Sequence, residues 1–432
     1  MNMRRLFVVT CCAVALLTKT DPDSAHVMSR LGTVESIVDR RTYALDESIF
    51  IGTVDKVQKD GHFYSHQPPL LSTIEAPVYW LLRLPGTRFN NRGRFVMTYA
   101  FSLLTNGVAL ALTVLLIARM LASMSVGAPW DAVLAVLLVF GTWLLPYGLV
   151  PNNHGISGLL LTALITVLMK CERDGPTPWR AAAAGGILGL LAAVEVLPIV
   201  SFVPLTIGYF AMRRKLDRAS WPALAAALAL PLAVHALINI RITGDVIPAG
   251  FHAELFRYEG SVFDDTTLTG TLKYHSIGDA AAYAWTSLFA YKGFFTFAPV
   301  CALGLIAGVV EWRWWRARQY TAVHAIVLAG IILSLGAALL TTNNYGGEAV
   351  GFRHAVFLSP ACVILLLPWI AGEARPLRQV VVAVAAVSTL LMLVCAARQP
   401  WSVLTLSHAP VGGWDEYLPI LGKLVHGSLF TP

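Results

Sequence analysis

Ionisable and aromatic residues are concentrated between residues 46 and 71, in the sequence DESIFIGTVDKVQKDGHFYSHQPPLL. The adjacent acids Asp46 and Glu47 open this stretch. A carboxylate held near an apolar boundary has its pKa raised toward the range that suits a general base. Asp46 and Glu47 are therefore candidate catalytic residues. The alternative is that both are solvated loop acids.

The same stretch carries residues that can bind a phosphate or pyrophosphate group. Imidazole, phenol and ammonium groups donate the hydrogen bonds that such anions accept. For Tyr64 the alternative role is that of an aromatic anchor at the depth of the lipid headgroups. The predicted substrate-binding residues of this stretch are Asp55, Lys56, His62, Tyr64, His66 and Gln67.

Further candidates lie near the ends of apolar segments elsewhere in the chain. Glu195 stands within the apolar run LLAAVEVLP, and His154 follows a Pro-Asn-Asn sequence. An ionisable residue inside an apolar segment is a functional-site hypothesis by default, and a structural hydrogen bond between helices is the alternative. A glycine-rich segment, whose glycines permit close approach of a ligand, adds the predicted substrate-binding residues Tyr345, Glu348, Arg353 and His354.

The composition is that of an integral membrane protein. Of 432 residues, 56% are hydrophobic and 13% are charged, whereas a soluble domain carries about 25% charged residues. The net charge of +7 therefore indicates basic loops between spans, with membrane lipids and no nucleic acid as partners. The six cysteines form no CxxC pair or other zinc-binding spacing, so a structural zinc site is not expected.

Apolar segments long enough to approach a membrane span predict about eleven transmembrane helices. They lie at 5–20, 94–118, 129–150, 154–170, 181–197, 199–212, 220–241, 284–309, 320–341, 355–372 and 379–397. Lys and Arg cluster in alternate short loops, which predicts a cytoplasmic N-terminus. The loops at 19–93, 243–282 and 343–354 then share the extracytoplasmic face.

We expect one transmembrane domain over residues 1–397, starting with an uncleaved signal anchor, and an extracytoplasmic tail over 398–432. In the first outer loop, the spacing of apolar residues predicts an amphipathic helix over 24–38. The pair Pro68-Pro69 predicts the start of a second interfacial helix over 70–84. The predicted fold is an all-α polytopic membrane protein with interfacial helices in its first outer loop.

These features together resemble the GT-C superfamily of polytopic membrane glycosyltransferases. Asp46-Glu47 resembles the acid pair of that superfamily, and Tyr64-Ser65-His66-Gln67-Pro68-Pro69-Leu70 resembles its proline-led motif. The likeness is to the protein mannosyltransferase and lipid A aminoarabinose transferase branch and its uncharacterised bacterial relatives, which implies a location in the bacterial inner membrane. Those relatives often have Asp-Lys or Glu-Lys where this chain has His66-Gln67, so a carboxylate and a cation are both absent at that point.

The resemblance implies inverting transfer of a sugar from a polyprenyl-phosphate donor to a lipid, glycan or protein acceptor. Asp46, with Glu47 as second choice, would act as the base that activates the acceptor, and His62, His66, Lys56 and Arg353 would hold the departing lipid phosphate. Some members of the superfamily use a divalent cation and others do not, so metal dependence stays open. Two alternatives also stay open: a transporter or flippase for a lipid-linked sugar, and a catalytically degenerate membrane scaffold.

Overall fold

The structure, a computed structural model, describes residues 2–20, 24–90, 93–124, 126, 130–212, 218–264, 274, 276–290, 292–341, 349–372 and 374–397. The elements in the first 174 residues are α1 (Met3–Leu17), α2 (Ala25–Arg40), β1 (Lys56–Lys59), β2 (His62–Ser65), α3 (Pro69–Leu82), α4 (Arg94–Ser102), α5 (Val108–Ser123), α6 (Trp130–Phe140), α7 (Leu144–Tyr147) and α8 (Asn153–Asp174). A π-helical turn, Leu103–Gly107, joins α4 to α5.

The elements that follow are α9 (Pro178–Val194), α10 (Leu197–Val200), α11 (Phe202–Ala211), α12 (Ser220–Thr243), α13 (Ile277–Leu288), α14 (Phe294–Phe297), α15 (Pro299–Val310), α16 (Trp312–Ala317), α17 (Thr321–Thr341), α18 (Ser359–Ile364), α19 (Leu367–Ala371) and α20 (Arg375–Ala397). Short 3-10 turns cover Ala249–Phe251, Ala253–Phe256 and Arg353–Leu358. The described part of the chain is therefore mostly helical, as predicted.

Six helical segments in the described residues are long and apolar enough to cross a membrane. They are Arg94–Ser123, Asn153–Asp174, Ser220–Thr243, Thr321–Thr341, Arg353–Ala371 and Arg375–Ala396. Each matches one of the eleven predicted spans, but the count of eleven is not confirmed, because several other apolar helices are shorter. The predicted span 284–309 is divided among α13, α14 and α15, and the break between α14 and α15 lies at Ala298, which Pro299 forces out of the helical conformation.

The first outer loop contains the two predicted helices and, in addition, a β-hairpin. α2 covers the predicted segment 24–38, and α3 begins at Pro69. Between them, β1 and β2 pair antiparallel with Lys59 opposite His62. Asp60 and Gly61 both have positive φ, as a two-residue hairpin turn of matching twist requires. The all-α prediction missed this hairpin, because four-residue strands give too short an alternation to recognise.

α2 packs against α3 through a small apolar cluster that includes Val27, Leu31 and Tyr79. An ion pair between Asp39 and Arg83 closes the far end of the two helices. The outer loop is therefore an ordered layer that holds its polar residues in fixed positions.

α9 and α12 approach each other closely because small residues separate them. A Cβ added at Gly185 would lie 2.3 Å from the Leu224 carbonyl oxygen, and one at Gly189 would lie 2.4 Å from that of Leu228. Both glycines are thus needed for backbone-to-backbone contact, as is common between membrane helices. This contact fixes the position of α9, whose C-terminal end forms part of the site described next.

Candidate functional site

An open cleft of about 440 Å³ lies where the first outer loop meets the ends of α8, α9 and α17. Its walls are partly apolar, and its polar groups converge from segments far apart in the sequence. The lining residues are His26, His66, Gln67, Pro68, Asn153, His154, Val194, Glu195, Val196, Leu197, Val200, Gly250, Phe251, Ala337, Thr341, Arg353 and His354. A mainly apolar pocket with a few convergent polar groups is the usual form of a ligand site.

Glu195 enters the cleft from the end of a helix. α9 stops at this residue, whose backbone is extended, and Pro198 prevents the same helix from continuing. The Glu195 Oε2 atom accepts hydrogen bonds from Asn153 Nδ2 at 2.9 Å and from His154 Nδ1 at 3.1 Å. The other oxygen, Oε1, makes no hydrogen bond to any described residue and so remains available to a ligand.

Asn153 and His154 occupy the first turn of α8. Asn152 caps that helix, because its side-chain oxygen accepts from the Gly155 amide at 3.2 Å. The His154 ring stacks at 6.4 Å from the His26 ring and meets Tyr147 edge-on at 5.4 Å. The His154–Glu195 pair is thereby held rigidly, with both side chains more than nine-tenths buried.

Gln67 connects two further histidines of the cleft. Its Nε2 atom lies 2.9 Å from His26 Nδ1 and 2.8 Å from His66 Nε2. An amide N–H pair that donates to both rings requires the acceptor nitrogen of each imidazole to be unprotonated. Burial, reinforced by the positive charge of Arg30, holds the pKa of His26 well below its usual range. This part of the cleft is therefore a neutral hydrogen-bonding surface.

Arg353 and His354 form the opposite wall and are held by the turn that precedes them. Gly351 has a φ of +71°, and a Cβ at this position would lie 2.5 Å from the Trp143 ring. The Val350 carbonyl accepts a hydrogen bond from Tyr147 at 2.8 Å, and the Ala349 carbonyl accepts one from the Lys292 ammonium group. Among the described residues, none pairs with the Arg353 guanidinium group, so its positive charge is available to an anion.

Two further ionisable side chains lie buried in the packed outer loop near the cleft. Arg30 and Glu75 are 0% and 3% exposed. Within the described part of the chain, neither the guanidinium nitrogens nor the carboxylate oxygens have a hydrogen-bond partner. Burial lowers the pKa of Arg30, while the charges of Glu75 and Glu195 act to raise it. Burial also raises the pKa of Glu75 to about 7, against the opposing effect of Arg30.

The structure brings six of the predicted site residues together at the cleft: His66, Gln67, His154, Glu195, Arg353 and His354. The predicted acid pair is placed elsewhere. Asp46 lies at the side of the hairpin, where its carboxylate accepts hydrogen bonds from His62 Nδ1 and the Phe63 amide, both at 3.0 Å. Glu47 is exposed beside it. Their catalytic role stays a prediction.

The other candidates of the first loop also lie outside the cleft. The Lys56 ammonium group donates to the Ile51 carbonyl at 2.6 Å and sits 4.8 Å from the Phe63 ring. Asp55 accepts a hydrogen bond from Ser29 through its backbone, and Tyr64 packs between two small apolar clusters. Tyr345 and Glu348 lie outside the described residues. Among those described, no three His, Cys, Asp or Glu side chains are grouped to hold a metal ion.

Four polar residues of this region were not predicted from the sequence: His26, Arg30, Glu75 and Asn153. A signal existed for two of them. Arg30 follows Val27 by three residues, so it lies on the apolar face of the amphipathic helix. Glu75 lies one helical turn after Leu71 and one before Tyr79, within an apolar run. A charge on the buried face of a helix is the pattern that would have found both.

Comparison with known proteins identifies a family. The sequence profile of glycosyltransferase family 87 matches residues 76–342, more than half of the chain. This range includes Asn153, His154 and Glu195. No curated protein sequence is significantly similar to the chain. Among solved structures, the fold is similar to the archaeal oligosaccharyltransferase AglB from Archaeoglobus fulgidus, in complex with an inhibitory peptide and a dolichol-phosphate, with 12% identity and a TM-score of 0.47. The alignment covers 100% of this chain and 60% of AglB, so the chain spans less than two thirds of the AglB length.

Proposed function

The chain belongs to glycosyltransferase family 87, and on this premise we propose that it moves a sugar from a polyprenyl-phosphate donor to an acceptor at the extracytoplasmic face of the membrane. The family match confirms the predicted class of enzyme, a glycosyltransferase. Three further points belong to our proposal: the lipid-phosphate donor, the side of the membrane on which the acceptor binds, and inversion of configuration at the anomeric carbon.

The observation that carries the proposal is the meeting of one carboxylate and one unpaired guanidinium group at a single partly apolar cleft. Glycosyl transfer needs a base for the acceptor and a cation for the leaving phosphate. Glu195 and Arg353 are of these two types and both line the cleft. The apolar residues beside them, such as Val200 and Ala337, suit the first part of a lipid chain.

We assign the roles by atom. Glu195 Oε1 accepts the proton of the acceptor hydroxyl or amine as that atom forms a bond to the anomeric carbon. The bond between the anomeric carbon and the phosphate oxygen breaks, and the electron pair leaves with the lipid phosphate. Arg353 neutralises the charge that develops on this phosphate. Asn153 and His154 are positioning residues, since both donate to the other oxygen of Glu195.

The side of the membrane follows from the predicted topology. The outer loop, the start of α8 and the segment before Arg353 all fall on the extracytoplasmic face in the arrangement that the Lys and Arg distribution favours. A polyprenyl-phosphate donor suits this face, because its phosphate lies at headgroup depth while its chain stays in the bilayer.

The experiment is transfer of labelled sugar from a panel of polyprenyl-phosphate donors by the purified protein in lipid nanodiscs. We expect Glu195→Gln to lower transfer by about 10²–10⁴-fold, the usual contribution of a general base. Glu254→Gln is the matched control: Glu254 also binds a histidine, with His252 Nδ1 at 3.1 Å from Oε1, but lies outside the cleft. Full activity of Glu195→Gln would remove the assignment of the base.

The same purified protein, reconstituted in closed proteoliposomes, separates the alternatives. Movement of the lipid-linked sugar across the bilayer without transfer would establish a transporter or flippase. Binding of the donor without either reaction would establish a catalytically degenerate scaffold. We expect Arg353→Gln to weaken donor turnover by about 10²–10³-fold, whereas the exposed Arg257→Gln control keeps its activity.

A further inference from the structure

A second pocket lies at the opposite end of α8 from the cleft. It has a volume of about 130 Å³ and is formed by the last turns of α5 and α8 together with Tyr320, just before α17. Lys170 lies 16 residues after His154 on one continuous helix, which places the two about 24 Å apart. The pocket is therefore on the other side of the membrane from the proposed transfer site.

The pocket combines an apolar wall with basic side chains at its mouth. Met120 and Met169 are buried in its wall, and Arg119, Lys170 and Arg173 surround its mouth. Arg173 is engaged by Asp174, at 2.8 Å and 3.1 Å. Within the described residues, neither Arg119 nor Lys170 forms an ion pair with an acidic side chain, although the charge of Lys170 acts on that of Asp174. Two positive charges thus face a cavity whose inner wall is apolar.

The depth of this pocket in the membrane is marked by the neighbouring helix α16. This helix carries three tryptophans and two arginines in six residues, a composition typical of the membrane–water interface. The Tyr320 amide donates to the Trp315 carbonyl at 2.9 Å, so the pocket lies directly beside this belt. Its volume suits a phosphodiester headgroup rather than a whole lipid.

We propose that this pocket binds the headgroup of an anionic phospholipid. Arg119 and Lys170 pair with the phosphodiester, and the acyl chain lies against the apolar surface of α5 and α8. Basic pockets between transmembrane helices are known to take anionic headgroups. The bound lipid would hold the C-terminal end of α8 in place, and the N-terminal end of the same helix carries Asn153 and His154.

The test compares wild-type protein with the double variant Arg119→Gln/Lys170→Gln. The matched control is Arg313→Gln/Arg316→Gln, which removes two charges from the same interface, where both arginines are exposed and lie near the Trp312 ring. Native mass spectrometry measures retained phosphatidylglycerol and phosphatidylcholine, and thermal unfolding in detergent measures the shift that each added lipid produces.

We expect wild-type and control proteins to retain phosphatidylglycerol in preference to phosphatidylcholine and to gain several degrees in Tm from it. The Arg119→Gln/Lys170→Gln variant should bind about 30-fold more weakly, from roughly a fivefold factor per basic residue. Equal retention by this variant, or equal loss in the control, would overturn the proposal. An equal shift from inorganic phosphate would instead identify a free-phosphate site and also overturn it.

Discussion

The replacement of Glu75 by glutamine tests whether burial or the neighbouring Arg30 controls this carboxyl group. Glu75 is 3% exposed and has no hydrogen-bond partner among the described residues. Burial raises its pKa from 4.5 to about 7, even though the charge of Arg30 acts in the opposite direction. The folded protein therefore holds a proton on Glu75 at pH values where the unfolded chain has lost it.

This difference makes stability depend on pH. The contribution of Glu75 is fully present below about pH 4.5 and is lost progressively as pH rises through about 7, because over this range the unfolded chain ionises Glu75 while the folded protein keeps it protonated. A difference of about 2.5 between the two pKa values corresponds to about 3 kcal/mol. For a chain of this length, that is on the order of 3 °C in Tm. Glutamine is neutral at every pH, so Glu75→Gln should remove this loss.

The assay is thermal unfolding in detergent between pH 5 and pH 8, for wild type, Glu75→Gln and the exposed control Glu259→Gln. We expect Glu75→Gln to resemble wild type at pH 5 and to exceed it by about 3 °C at pH 8, while the control follows wild type throughout. If the curves of wild type and Glu75→Gln instead run parallel, Glu75 is ionised across this range, and its attraction to Arg30 outweighs the cost of burial.

Three further substitutions follow from the geometry. Asp46→Asn tests the sequence-based choice of base: since Asp46 lies outside the cleft, we expect it to keep transfer within a few fold of wild type, whereas complete loss would restore Asp46 as the base. Gly351→Ala should lower both Tm and transfer, because alanine is strained at this φ and its Cβ would clash with Trp143 next to Arg353. The control is Gly244→Ala, where φ is +82° but no atom lies close to the added Cβ. This control should cost only about 1–2 kcal/mol of stability. Gly189→Ala should separate α9 from α12 and lower Tm; an unchanged Tm would contradict the close packing.

Cleft residues at the ends of apolar segments were predicted from the sequence more accurately than cleft residues of the first outer loop. Glu195 and His154 were found because ionisable groups at the ends of apolar segments are costly unless they have a partner. The structure supplies that partner, since the two side chains bind each other. Arg353 and His354 were found because they follow glycines at the start of a span. The predicted topology places these four residues on the same face of the membrane.

The outer loop was harder to predict because a hairpin that was not predicted from the sequence decides which of its residues reach the cleft. Positive φ at Asp60 and Gly61 puts His62 at the exposed tip of the hairpin, whereas His66 follows the end of β2. Four extended residues cover about 13 Å, so the two histidines cannot bind the same phosphate group. The same register binds His62 to Asp46 and keeps both away from the cleft.

The His66-Gln67 pair, where the superfamily resemblance implies an acid and a lysine, is explained by its surroundings. Gln67 bridges two imidazoles with a neutral amide, at a place where Arg30 and Arg353 both act on His26. A lysine here would add a third positive charge to this wall and would lose the two hydrogen bonds. The carboxylate and the cation absent at 66–67 are present in the same cleft as Glu195 and Arg353. The chemistry that the pair lacks is thus available from helix ends, which favours an active transferase over a degenerate scaffold.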